Sequence, residues 1–233
     1  MQNLSKKGKK TKKKSKEEVA EEETSEESTE EIEQEEEAPP QQMSLMDLLG
    51  GGQGADTPEA RSIMFVGEVT EERAADLVSA LLVLSQTKAP EAERAEPIKL
   101  YVSTYGGSAD EMFGIYDVVN YCKKFCDIET IGLGKVMSAG TLMLASGTKG
   151  KRKLGKHCRV MIHAVNGGQV GDIHNLQNEL EQTVSLQDSY IQALSHETNM
   201  TKRQIQTLIN RKVNVYLTAE EAIEKGLADE ILE

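Results

Sequence analysis

Two side chains with complementary chemistry, Ser138 and His163, stand near the two ends of the stretch 134–163, GKVMSAGTLMLASGTKGKRKLGKHCRVMIH. A serine in the first turn of a helix of small residues has its hydroxyl near the positive end of the helix dipole. Negative charge developing there is stabilised, and the backbone N–H of Ala139 points the same way as a donor for an oxyanion. His163 closes the apolar run RVMI. A neutral imidazole at a strand end can take a proton from the serine and return it to a leaving amine. Each residue also has a plainer reading: Ser138 as an ordinary N-cap, His163 as a histidine bonded within a sheet edge.

A second junction, Tyr105-Gly106-Gly107-Ser108, adds donors. Adjacent glycines let a backbone approach a ligand closely, and the helix that follows begins with unpaired N–H groups, so Gly107 joins Ala139 as a candidate oxyanion donor. An ordinary tight turn is the alternative. Asn166-Gly167-Gly168, just beyond His163, reads as a loop able to receive a peptide, with Gly106, Gly167 and Gly168 as candidate substrate contacts. His157, His174 and His196 lie in polar contexts and read as surface residues.

The elements that must position these groups follow from periodicity. SIMFVG (62–67), IKLYV (98–102), DIETIGLG (127–134) and RVMIH (159–163) read as buried strands. TEERAADLVSALLVLSQ (70–86) reads as a helix capped by Thr70, with Glu71 and Glu72 in its first turn. ADEMFGIYDVVNYCKKF carries Met112, Ile115, Val118, Val119 and Cys122 on one side, and SAGTLMLASG (138–147) is a short buried helix. A helix of about seven turns spans 172–198, with Ile173, Leu176, Leu180, Val184, Leu186, Ile191 and Leu194 as its apolar stripe. TKRQIQTLIN and TAEEAIEKG each begin at a capping threonine, and Gly226 ends the second. Strands alternating with helices make an α/β domain with largely parallel strands.

The domain begins near Arg61. Before it, residues 1–16 hold eight lysines and residues 17–37 hold thirteen glutamates. Such an arm cannot bury enough surface to offset its ordering entropy, so residues 1–55 read as a disordered charged arm and linker, interrupted by the short apolar island MSLMDLL. Residues 1–40 carry a net −5 of the chain's −12, leaving −7 on the rest, which argues against nucleic acid as a partner. Cys122, Cys126 and Cys158 sit in apolar surroundings, as buried thiols in a reducing compartment do, and lack the partners of a metal site. No apolar run of about 18 residues offers a membrane span, and the start lacks the apolar segment of a secretory signal. A cytoplasmic protein is expected.

Gly106-Gly107 before a helix, Met-Ser-Ala-Gly at 137–140, GTKGKR at 147–152, RVMIH at 159–163 and YLTAEEAIEKGLAD at 216–229 occur in one order. Together they resemble the proteolytic subunits of Clp protease, the ClpP family, over residues 61–233. The resemblance implies a ClpP/crotonase-like fold of stacked β-β-α units with a protruding handle. It implies two stacked heptameric rings enclosing a chamber, unfolded polypeptide as substrate, and a ring-shaped AAA+ unfoldase of the ClpX or ClpA type as partner. ATP is then used by that partner, and this chain takes no cofactor. By position, Ser138 matches the family nucleophile, His163 its general base, and Gly107 and Ala139 its oxyanion donors. Residues 164–178 match the handle's β-strand, and the long helix after it would interlock the rings.

Three departures stand against the match. The family's third triad member is an aspartate, and Asn214 holds the matching position; no aspartate occurs between Asp188 and Asp229. Ala164-Val165 replaces the usual glutamine and proline, and the segment forming axial pore loops is replaced by the charged arm. The expected function is serine-type endopeptidase activity through an acyl-enzyme on Ser138. Two alternatives stay open: a non-catalytic, ClpR-like subunit of a mixed ring, and a phage-type protease maturing capsid or scaffold proteins. A crotonase-type acyl-CoA enzyme shares the fold in outline but not the Ser138 and His163 pair.

Overall fold

The computed structural model describes residues 60–233. The charged arm and the MSLMDLL island lie outside the described residues. The elements run β1 (Ser62–Val66), α1 (Glu71–Gln86), β2 (Ile98–Thr104), α2 (Ala109–Cys122), β3 (Ile128–Met137), α3 (Ala139–Ala145), β4 (Lys153–Gly155) and β5 (Arg159–Ile162). They continue with α4 (Ile173–Glu197), α5 (Lys202–Ile209), β6 (Val215–Leu217), α6 (Ala219–Glu224) and β7 (Glu230–Leu232).

The helices form where their caps and apolar periods dictate. Thr70 accepts a bond from the amide of Arg73 and starts α1. Leu77, Leu81 and Leu84 are buried on one face of that helix. Thr201 and Thr218 each close a reciprocal capping box, with Gln204 and Glu221 respectively. Asp172 accepts from the amides of His174 and Asn175 and so fixes the start of α4. Gly226, at φ 76°, supplies the left-handed residue that ends the last helical segment.

β1, β2, β3, β4 and β7 pair in that order, all parallel. β3 is the central member, and it serves two neighbours on one side. Ile131 and Gly132 pair with β4, whereas Lys135, Val136 and Met137 pair with β5. The change of partner occurs around Gly134, whose φ of 65° only glycine adopts at little cost, and the β2 register slips between Val102 and Thr104 at the same level. The strand expected from the sequence stops at 134. The structure carries it on to Met137, because both edges of the segment find partners.

The other differences have equally local causes. β4, β6 and β7 are each three residues long, too short for an alternating pattern to show. The strand expected in the handle at 164–178 is absent. Residues 164–172 are irregular and the helix starts at Ile173, since this segment has no neighbouring strand and Asp172 nucleates the helix.

The core lies between the sheet and its helices. Leu100, Ile128, Leu142, Leu144, Ile162 and Leu194 are fully buried there. All three cysteines are buried free thiols, and burial raises the pKa of each. Arg152 is buried as well, and both oxygens of Asp229 accept its guanidinium, at 2.6 and 2.9 Å. The same guanidinium donates to the carbonyls of Ala145 and Glu197, tying the ends of α3 and α4 together. On the amino-terminal half of α4, Ile173, Leu176, Leu180 and Val184 are exposed, while Ile191 and Leu194 near its other end are buried. Among the described residues no helix is long and apolar enough to cross a membrane.

Candidate active site

Three adjacent parallel strands, β2, β3 and β5, end at one edge of the sheet, where ligands commonly bind in open α/β sheets. Because Met137 pairs with Met161, the residues that follow the two strands come side by side. The amide of Ser138 donates to the carbonyl of Met161 at 2.8 Å. The Oγ of Ser138 lies 2.7 Å from Nε2 of His163.

Ser138 occupies the N-cap position of α3 but makes no capping bond with its side chain. Its φ of 54° and ψ of −121° place it outside the helical and extended regions, in a conformation costly for a residue with a Cβ. This turn directs the hydroxyl to His163 instead of into the helix. The Ser138 carbonyl accepts from the amide of Thr141 at 2.9 Å and from its hydroxyl at 2.6 Å. Tyr190, buried on α4, bonds the Thr141 hydroxyl in turn, and burial pushes its pKa up to about 12. Nothing in the sequence pattern marked Thr141 or Tyr190. They come from a short helix and a distant one, and only packing unites them.

Gly106 lies against the serine. A Cβ there would stand 2.5 Å from the Cβ of Ser138 and 3.0 Å from its Oγ, and the φ of 100° is itself suited to glycine. Gly107 bridges to Val69, whose amide donates to Gly106 and whose carbonyl accepts from Ser108. That pattern leaves the Gly107 amide without a partner among the described residues, and the Ala139 amide, in the first turn of α3, has none there either. Both glycines, Ser138, Ala139 and His163 line one cavity of ≈ 420 Å³, together with Tyr105 of the same junction and Glu68, which sequence reasoning did not single out. Gly167 and Gly168, expected at the site, do not line it; both are exposed.

His163 is half-buried, and burial lowers its pKa. A neutral ring that accepts the serine proton at Nε2 carries its own proton on Nδ1. That nitrogen has no hydrogen-bond partner among the described residues. β5 and β6 pair antiparallel, Ile162 with Val215, and one further step of this register sets His163 opposite Asn214. The two border a second cavity of ≈ 380 Å³, but Asn214 is exposed and makes no hydrogen bond to the ring. Among the described residues no cluster of three or more His, Cys, Asp or Glu side chains is arranged to hold a metal ion.

The arrangement can transfer a proton from a hydroxyl to an imidazole beside two free amides, the parts needed for acyl transfer. Comparison with known proteins gives two matches. A family model described as Clp protease matches residues 56–233. The chain is also 33% identical, over 171 residues, to the ATP-dependent Clp protease proteolytic subunit 2 of Thermobifida fusca (strain YX), an alignment covering 73% of this chain and 80% of that relative.

Proposed function

The chain belongs to the Clp protease family, and on that premise we propose that it is a serine endopeptidase acting on unfolded polypeptide through an acyl-enzyme on Ser138. The observation that carries this reading is the 2.7 Å contact between Ser138 Oγ and His163 Nε2, made by a serine whose hydroxyl is withheld from capping its helix. His163 takes the hydroxyl proton as Oγ attacks the scissile carbonyl. The free amides of Gly107 and Ala139 receive the oxyanion. His163 then returns the proton to the leaving amine, and water, activated by the same imidazole, releases the acyl group.

Assembly follows the same premise. Ile173, Leu176, Leu180 and Val184 form an exposed apolar row at helical spacing on α4, larger than a free helix face normally carries. This row supports a barrel of stacked rings joined through the handle. The relative's name calls it ATP-dependent. An AAA+ unfoldase of the ClpX or ClpA type is the corresponding partner proposed here, and ATP is used by it.

A fluorophosphonate probe, which reacts with activated serines, tests the reading on the full-length protein. Covalent labelling is expected in the parent and not in Ser138→Ala. Equal labelling of both would sink it. One observation favours the second reading, a non-catalytic subunit of a mixed ring: among the described residues no carboxylate contacts the Nδ1 side of His163. Co-purification with an active paralogue, together with an unlabelled Ser138, would support that alternative.

A further inference from the structure

The cavity of ≈ 380 Å³ behind His163 has an unusual lining for a space next to a catalytic imidazole. Its polar side chains are the carboxamides of Asn166, Gln187, Asn210 and Asn214 and the ammonium of Lys212, with no aspartate or glutamate among them. Lys212 is exposed; its amide donates to the carbonyl of Ile209, and its ammonium makes no hydrogen bond or ion pair among the described residues. Its φ of 57° marks a left-handed turn that holds the segment between α5 and β6 against this space. Nδ1 of His163, on the far side of the ring from the nitrogen that meets Ser138, is equally without a partner.

We propose that this cavity is a binding site for a small monocarboxylate of formate or acetate size, which completes the catalytic machinery by bonding His163 Nδ1–H. The proposal rests on the reading of Ser138 and His163 as nucleophile and base. The chemistry of the lining selects the ligand. An imidazole N–H, an ammonium and carboxamide N–H groups are all donors, and a carboxylate offers two oxygens that accept several such bonds at once. The volume admits an ion of three or four heavy atoms together with water. A cation would meet the charge of Lys212.

Bound there, the anion does two things. It holds the ring in the tautomer that keeps Nε2 open to the serine, and it stabilises the imidazolium that forms when Ser138 gives up its proton. Asn214 can orient the anion but cannot replace its charge. The protein is then a peptidase whose rate follows the local concentration of small carboxylates.

The test measures the rate at which full-length protein is labelled on Ser138 by a fluorophosphonate as sodium formate replaces sodium chloride at constant ionic strength. A saturable acceleration of at least about tenfold is expected with formate and none with chloride. Asn214→Asp, which attaches a carboxylate at this cavity, is expected to raise the chloride rate and remove the formate response. Lys212→Gln is expected to move half-saturation to formate concentrations at least about threefold higher. Equal rates in formate and chloride, or an undiminished formate response in Asn214→Asp, would overturn the proposal. A binding measurement separates this idea from the peptidase reading. Line broadening of [13C]formate by full-length Ser138→Ala is expected, and is expected to weaken in the Ser138→Ala/Lys212→Gln double variant. If Ser138 is never labelled, the peptidase reading fails, and the broadening alone decides the cavity: its presence upholds the site and its absence refutes it.

Discussion

Gly106 leaves no room between itself and Ser138: a Cβ on the glycine would stand 2.5 Å from the Cβ of the serine. The turn after β2 and the turn after β3 are therefore built as a pair, and the serine's unusual backbone is held from outside by the neighbouring strand end. Gly106→Ala must displace Ser138 and strain its own φ of 100°. A loss of about 2 kcal/mol in stability and of about a hundredfold in fluorophosphonate labelling is expected. Chemical denaturation and labelling rates on the same preparation check it. Parent-like labelling would show that Gly106 does not set the serine's position.

His163 governs the pH response. Burial holds its pKa below the ordinary 6.5, so the ring is neutral at pH 7 and ready to accept a proton. Labelling of Ser138 is expected to rise along one limb centred below 6.5 and to be level above 7. For the fold, the unfolded chain binds this proton more tightly than the folded one. Stability from this residue therefore declines as the pH falls below the unfolded pKa, and nothing is lost on the alkaline side. Asn214→Asp sets a negative charge beside the ring and is expected to move the limb upward. A limb that stays in place in that variant would mean residue 214 does not act on His163.

Asp229 carries a structural ion pair. Burial alone would raise its pKa, but the Arg152 guanidinium and the amides of Arg152 and Gly150 outweigh that and hold it below the ordinary 3.8. Its contribution to stability is thus present above the unfolded pKa and is lost as the pH falls through the folded one. Asp229→Asn leaves the buried Arg152 without its counter-charge, and a loss of about 3 kcal/mol is expected by urea denaturation at pH 7. A loss under about 0.5 kcal/mol would show that the carbonyls of Ala145 and Glu197 satisfy Arg152 by themselves.

The exposed row on α4 predicts self-association. Leu180 and Val184 are 64% and 51% exposed in the single chain. The double variant Leu180→Glu/Val184→Glu is expected to keep its circular dichroism and to lower the mass measured by light scattering. An unchanged mass would place the assembly contacts elsewhere.

Much of this architecture is legible in the chain itself. The periods of α1, α2 and α4, the capping threonines at 70, 201 and 218 and the glycine at 226 depend on neighbours within one or two turns, and the sequence displays them directly. β4, β6 and β7 are not legible, because each is a three-residue segment defined by a partner far away in the chain. The extension of β3 past Gly134 is hidden for the same reason. In the site, Ser138, His163 and the two glycines are visible as residue types at suggestive junctions. Tyr190 and Thr141 are not, since their bond joins α3 to α4.

The sequence by itself determined the helices and the longer strands, the candidate nucleophile and base, and the kinship with Clp proteases. Only the tertiary structure decided that the hydroxyl of Ser138 meets His163 instead of capping α3, that Gly106 backs the serine, and that Asn214 stands opposite the histidine without bonding it. The physical reason is that caps and periods are local, whereas these three relationships depend on strand register. β3 with β5, β2 with β3 and β5 with β6 are pairings between distant segments, and each register is chosen by the burial of the whole sheet.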